Sequence, residues 1–275
     1  MNYKIFQICF EQSQITEIDP LFSAFDNTEN KFPELREYYN FVKFIENGHA
    51  DNLDAWGIFG PRWKDKLKYS AEEIHQTIDT NPNCDVYIFN HARVQDALTF
   101  NVWDQGEYFH KGIKKVAEHV LKELGYETGH LDEMMFDGST CYSHYFVGTK
   151  AFWTDYLEFL IKIKKTLDNL PEDIDQIYKG SANYGRDTSL NMFVFIIERM
   201  FSTFLIMNRE KYKVHAKPYD YSIYKNQVGD FAHVLNALSN LKTLTLKYDS
   251  HEIFHQWNAI RLFLLKNQPN LMNLD

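Results

Sequence analysis

Short β-rich apolar runs separated by amphipathic helical patterns constrain this chain more than any other feature. Residues 3–10 (YKIFQICF), 55–59 (AWGIF), 84–90 (CDVYIFN) and 141–147 (CYSHYFV) each read as a strand, because β-branched and aromatic residues fill short runs bounded by turn residues. After Pro33, Tyr38, Phe41, Val42 and Ile45 recur at helical spacing, and Gly48 closes the pattern. Ser70-Ala71-Glu72-Glu73 is a capping box leading into Ile74 and Ile78. A helix is predicted over residues 107–124, with Ile113, Val116, Val120, Leu121 and Leu124 on one face. Another spans residues 150–168 with Phe152, Tyr156, Phe159, Leu160, Ile163 and Leu167 inward, stopping before Pro171. Residues 178–191 are polar and contain glycine, which reads as a flexible loop. A largely buried helix follows over 190–207, and two more over 230–241 and 251–266. Strands alternating with helices predict an α/β sheet covered on both faces, with ligands held in the crevice beyond the carboxyl ends of its strands. No repeat, low-complexity tract or long linker interrupts the pattern. One main α/β domain over residues 1–217 is expected, with residues 218–275 forming a helical extension packed on it.

Composition narrows the partners. The formal net charge is −9, which disfavours nucleic acid, and the densest cationic stretch, residues 209–217 (REKYKVHAK), is short, interrupted and reads as solvated surface. The longest apolar stretch, residues 190–207, is broken by Glu198-Arg199, so no membrane span is expected, and the first residues run straight into a strand rather than a signal peptide. Cys9, Cys84 and Cys141 are far apart without CxxC spacing, which fits a reducing compartment and argues against a zinc site. The 22 Phe, 17 Tyr and 5 Trp make up 16% of the chain, enough either to build an aromatic core or to line a site for flat or sugar-like ligands.

The common fingerprints of dinucleotide, NTPase, α/β-hydrolase and zinc-protease sites are absent. Four segments remain. Asp26 and Asn27, in the loop Asp26-Asn27-Thr28-Glu29-Asn30, can accept from a ribose hydroxyl or a base N–H, or form an Asx-turn. In the run Asp85 to His91, side chains alternate, so Val86, Ile88 and Asn90 share one face while the carboxyl end delivers Asn90 and His91 to the crevice. Asp104 and Glu107, close to Trp103, Gln105 and His110, suit carbohydrate hydroxyls or helix capping. Glu198 lies in an apolar helical pattern with Val194, Phe195, Phe201 and Ser202 three and four residues away. There it is either desolvated and tuned for general-base work or ion-paired to lock the helix to the sheet.

Taken together, the N-terminal strand, the D-N-x-x-N loop, WGIFGPRWKDK, DVYIFN, CYSHYFVGTKAFWTDYLEFL and FVFIIERMFSTFLI resemble bacterial glycosyltransferases of capsule, lipopolysaccharide and other surface-glycan loci. The resemblance covers residues 3–207. It implies a Rossmann-like mixed sheet flanked by helices, of the glycosyltransferase A type, with a helical C-terminal region. The activity implied is transfer of a sugar, a hexose favoured, from a nucleoside diphosphate sugar, a UDP-sugar favoured, to a glycan or glycolipid acceptor. Glu198 then becomes the candidate base. Asp26, Asn27, Trp56, Asn90 and His91 fall on the donor side, and Asp104, Glu107 and His144 on the acceptor side. Enzymes of this fold usually carry an Asp-x-Asp that holds a divalent metal against the donor diphosphate. Here Phe89-Asn90-His91 stands in its place, which leaves Mn²⁺ or Mg²⁺ dependence open and predicts that it is weak. The implied location is cytoplasmic, with peripheral contact at the inner face of a membrane. Two other readings stay open: a non-catalytic binding or scaffolding protein that uses the aromatic excess as an interface, and a glycan hydrolase working through Asp104 and Glu107.

Overall fold

The computed structural model describes residues 1–136, 138–180 and 191–274. Among these, β1 (Tyr3–Cys9), β2 (Ser23–Asp26), β3 (Ala55–Phe59), β4 (Val86–Ile88), β5 (Phe146–Thr149) and β6 (Val214–Ala216) form one sheet in the order β2-β1-β3-β5-β4-β6. All pairings are parallel except those of β5, which runs antiparallel between β3 and β4. The helices are α1 (Gln12–Thr16), α2 (Arg36–Glu46), α3 (Trp63–Leu67), α4 (Ala71–Asp79), α5 (Arg93–Leu98), α6 (Val102–Phe109), α7 (Ile113–Glu123), α8 (Lys150–Leu167), α9 (Glu172–Lys179), α10 (Met192–Met207), α11 (Lys225–Val228), α12 (Phe231–Tyr248) and α13 (His251–Asn267). No helix among the described residues is long and apolar enough to cross a membrane.

The period-2 alternation of the strands divides the core. Phe6, Ile8, Trp56, Ile58, Val86, Ile88 and Phe146 face the larger apolar layer, built with Phe41 and Phe44 of α2, Trp153 and Tyr156 of α8, and Phe201 and Phe204 of α10. Ile5, Ala55, Phe59, Tyr87, Phe89 and Val147 face a second layer with Trp63 and Leu67 of α3 and Ile74 and Ile78 of α4. Each such fully buried side chain stabilises the fold by roughly 1.5–3 kcal/mol. A third cluster joins Val94, Ala97 and Leu98 of α5 to Leu235, Leu238, Trp257 and Leu264 of the C-terminal helices. The three cysteines are free and buried.

Several local expectations need correction. The run 141–147 is not one strand: the backbone turns at Ser143 and His144, both in left-handed conformation (φ 58° and 54°), and the strand starts only at Phe146. Gly148 sits within β5, where a Cβ would lie 2.7 Å from Phe152 Cδ1, so any larger residue there would force the start of α8 to shift. The helix read over 107–124 is two helices, broken after Phe109 and restarted at Ile113. The cationic stretch 209–217 contributes edge strand β6, paired to β4. Tyr178 and Lys179 belong to α9 rather than to a loop, and residues 181–190 of that predicted loop lie outside the described residues. The capping box at Ser70 and Glu73 forms in both directions.

Candidate functional site

Beyond the carboxyl ends of β1 and β3 lies a cleft of about 370 Å³. Ile8, Phe10, Gly60, Arg62, Lys66, Ser143 and Tyr145 line it from the sheet side, and Arg36, Glu37 and Asn40 line it from the first turns of α2. The sequence builds it simply. Gly60-Pro61 stops β3, and the following turn carries Arg62 and Lys66 four residues apart, hence on one side of the short helix α3. Trp63 Nε1 donates to Gln7 Oε1 at 2.8 Å and ties that helix to β1.

Ser143 is the hub of the cleft. Lys66 Nζ donates to its Oγ at 2.7 Å, and His91 Nε2 lies 3.0 Å from the same oxygen. The Ser143 backbone N–H donates to Glu198 Oε2 at 2.8 Å. Burial holds the His91 imidazole well below its usual range, with the Lys66, Arg93 and Arg62 charges adding to the effect. It is therefore neutral at pH 7, and with Lys66 donating to Oγ, the serine hydroxyl is free to donate to His91 Nε2. Burial likewise lowers the Lys66 ammonium, with the Arg62 charge adding to it and Glu198 and Glu37 opposing it. No ion pair within 4 Å joins Lys66 or Arg62 to a carboxylate among the described residues, so two cationic charges line the cleft without contact neutralisation. Among the described residues no group of three His, Cys, Asp or Glu side chains is placed to hold a metal ion.

The side chains selected from sequence fall in several places. His91 reaches the cleft through Ser143. Asn90, next to it, is 2% exposed and fully engaged: Nδ2 donates to Tyr219 OH at 2.8 Å, and Oδ1 accepts from Ala92 N at 3.2 Å and Tyr142 N at 3.4 Å. Asp26 ends β2 and Asn27 follows it, beside the end of β1. Asp26 forms the Asx-turn, accepting from Thr28 N at 2.9 Å and Thr28 Oγ1 at 2.8 Å, while Asn27 is buried with an unpartnered Oδ1. Glu198 is not a desolvated carboxylate: its side chain is 21% exposed, and Oε1 lies 3.8 Å from Arg199 Nη1. It buttresses the left-handed turn at Ser143. Arg199 is in turn fixed by carbonyls, with Nε to Val102 O and Nη1 to Phe195 O, both at 2.9 Å.

Four residues lie elsewhere. Trp56 stacks on Trp153 (5.8 Å, 6°) within the core, near the amino end of its strand. His144 is buried against Phe41 and Tyr156, with Nε2 3.3 Å from Tyr156 OH. Asp104 accepts from Phe100 N at 2.8 Å and Arg261 Nη1 at 2.9 Å, anchoring α13. Glu107 accepts from Gly112 N at 3.1 Å and Lys114 N at 2.9 Å, which serves the orphan N–H groups at the start of α7. These carboxylates serve backbone and arginine groups, not the cleft.

Sequence reasoning missed Arg36, Glu37, Asn40, Arg62, Lys66 and Ser143. Arg62 and Lys66 had a readable signal, two cations four residues apart directly after a buried strand stopped by Gly-Pro. Ser143 had none, because its local pattern is that of a strand.

No family model matches the chain, and no curated protein matches it. A solved structure does: the apo form of WbbM, a bifunctional glycosyltransferase, superposes with a TM-score of 0.51 at 16% identity. The match covers 79% of this chain and 44% of that one, so this chain spans less than half the length of its structural counterpart. At that identity the likeness is one of fold alone: a mixed α/β sheet with flanking helices and a helical C-terminal region.

Proposed function

We propose that the protein is a glycosyltransferase that moves a sugar, a hexose favoured, from a nucleoside diphosphate sugar to a hydroxyl of a surface glycan or glycolipid. The observation that carries this reading is the pair Arg62 and Lys66, two cations without contacting carboxylates in a cleft beyond the carboxyl ends of parallel strands. A diphosphate is the ligand class that cations free of contact ion pairs recognise, and in the transition state the same cations take up the charge developing on the leaving group. The fold shared with WbbM supports the choice of sugar transfer over other uses of a diphosphate. UDP is the favoured nucleotide, with Asp26 and Asn27 on the donor side.

A nucleotide panel in a thermal-shift assay tests the reading. UDP, GDP or their sugars at a hundred times Kd should stabilise the fold by about 2.7 kcal/mol, and ATP and GTP should bind more weakly, because the chain has no glycine-rich phosphate cradle. Absence of any nucleoside diphosphate effect, or tighter binding of ATP, would count against it. The same assay followed by donor turnover in EDTA reads metal dependence, for which a modest loss is expected. Complete loss restored by Mn²⁺ would mean that carboxylates outside this cleft complete the site.

A further inference from the structure

Two groups on the first turns of α2 are unused by the donor-side chemistry. Glu37 lines the cleft, is half-buried, and has no hydrogen bond or ion pair with any described residue. Asn40, three residues on and so on the same helix face, lines the cleft as well. It is 1% exposed; its Nδ2 donates to Arg36 O at 3.1 Å, but its Oδ1 is a buried acceptor without a partner. Buried polar atoms are nearly always satisfied, and an orphan acceptor beside a cleft is open to a donor from outside the fold, a water or a ligand hydroxyl. Glu198 presents the opposite picture, with Oε2 committed to the Ser143 N–H and Oε1 facing Arg199.

We propose that Glu37 and Asn40 form the acceptor subsite, where Asn40 Oδ1 accepts from a hydroxyl of the acceptor sugar and Glu37 removes the proton from the hydroxyl that reacts. The inference rests on the sugar-transfer reading above. The step balances. The proton passes from the acceptor O–H to the Glu37 carboxylate, and that oxygen forms its bond to the anomeric carbon. The bond from the anomeric carbon to the donor phosphate oxygen breaks, and its electron pair leaves with the diphosphate beside Arg62 and Lys66. One displacement of this kind inverts the anomeric centre. The charge of Glu37 is already felt across the cleft: it opposes the burial-driven fall of the Lys66 ammonium and adds to the burial-driven rise of the Tyr145 phenol. Glu198 is then a positioning residue that holds the Ser143 turn and, through it, Lys66.

The test uses the full chain and a panel of sugar nucleotides, following donor consumption with water or a simple glycoside as acceptor, nucleotide affinity by calorimetry, and melting temperature. Glu37→Gln should lower turnover by roughly 10²–10⁴-fold, the span of general-base loss. Its nucleotide affinity and melting temperature should stay near wild type. Glu198→Gln keeps a carbonyl for the Ser143 N–H and should lose less than about ten-fold. Asn40→Leu should raise KM for the glycoside more than it lowers turnover with water. Near wild-type turnover in Glu37→Gln, a deeper loss in Glu198→Gln, or retention at the anomeric carbon would each overturn the subsite while leaving the sugar-transfer reading intact. A wild-type protein that binds no nucleoside diphosphate and consumes no sugar nucleotide would overturn both.

Discussion

Replacing Lys242 by Met is expected to lower the stability of the protein by about 3–5 kcal/mol, the cost of leaving one partner of a buried ion pair without its counter-charge. Lys242 enters from α12 fully buried, and its Nζ donates to the carbonyls of Asp96 at 2.6 Å and Thr99 at 2.7 Å, with Asp96 Oδ1 at 3.6 Å. Asp96, also fully buried, accepts from Tyr219 OH at 2.5 Å and Thr140 Oγ1 at 2.7 Å through its other oxygen. Tyr219 in turn accepts from Asn90. This network stitches the C-terminal helices to α5 and to the end of β4, next to the cleft. Burial pushes the Asp96 carboxyl up and the Lys242 ammonium down to about 8, while the attraction between them works against both movements. The charged pair is thus held against a large desolvation cost, which is why removing half of it costs more than removing all of it. Lys242→Met should melt roughly 10 °C lower, and Lys242→Met combined with Asp96→Asn should recover part of the loss, a coupling that urea unfolding of the four-member cycle measures. A single variant less than 1 kcal/mol below wild type would show that Tyr219 and Thr140 alone suffice for Asp96.

Much of this architecture was legible from side-chain pattern alone, and the limits of that legibility are physical. The strand Ala55–Phe59 is a continuous apolar run buried at all five positions, and the helix Lys150–Leu167 is long and periodic, with its inward face buried. The strands Ser23–Asp26 and Val214–Ala216 were not visible. Each lies at an edge of the sheet, only partly buried, and its pairing comes from the backbone of its neighbour rather than from its own apolar content. The turn at Ser143 was hidden for a different reason. Contacts from Lys66, His91 and Glu198, between 52 and 77 residues away, hold a conformation that the local sequence does not ask for. The site divides along the same line. His91 follows from the rule that strands deliver their carboxyl ends to a crevice, whereas Glu37 and Asn40 arrive on a helix that a chain pattern cannot aim. Asp104 and Glu107 show the converse. Carboxylates at helix starts look like sugar ligands in sequence, yet unsatisfied N–H groups and one arginine claim both.

Removing Arg62 and Lys66 together, by Arg62→Met and Lys66→Met, is expected to weaken UDP or GDP binding by roughly 10²-fold or more, since each charged hydrogen bond to phosphate is worth about 1.5–3 kcal/mol. The fold should tolerate the change. Arg62 is exposed and makes no hydrogen bond or ion pair with described residues, and Lys66 gives up one bond to a serine hydroxyl that His91 still engages. The single variants should not sum to the double, because both side chains face one ligand. Acidity separates their roles. Arg62 keeps its charge at every accessible pH, while the Lys66 ammonium is lowered by burial from its ordinary 10.5. An anionic ligand favours the protonated form, so wild-type affinity should hold steady at neutral pH, fall as pH rises through the depressed value of Lys66, and level off above its value in the complex. In Lys66→Met that alkaline fall should vanish, and in Arg62→Met it should persist on a weaker baseline. Calorimetry of UDP binding across the pH range decides the matter. A double variant that binds within about three-fold of wild type would mean that the diphosphate lies outside this cleft and that Arg62 and Lys66 serve some other anion.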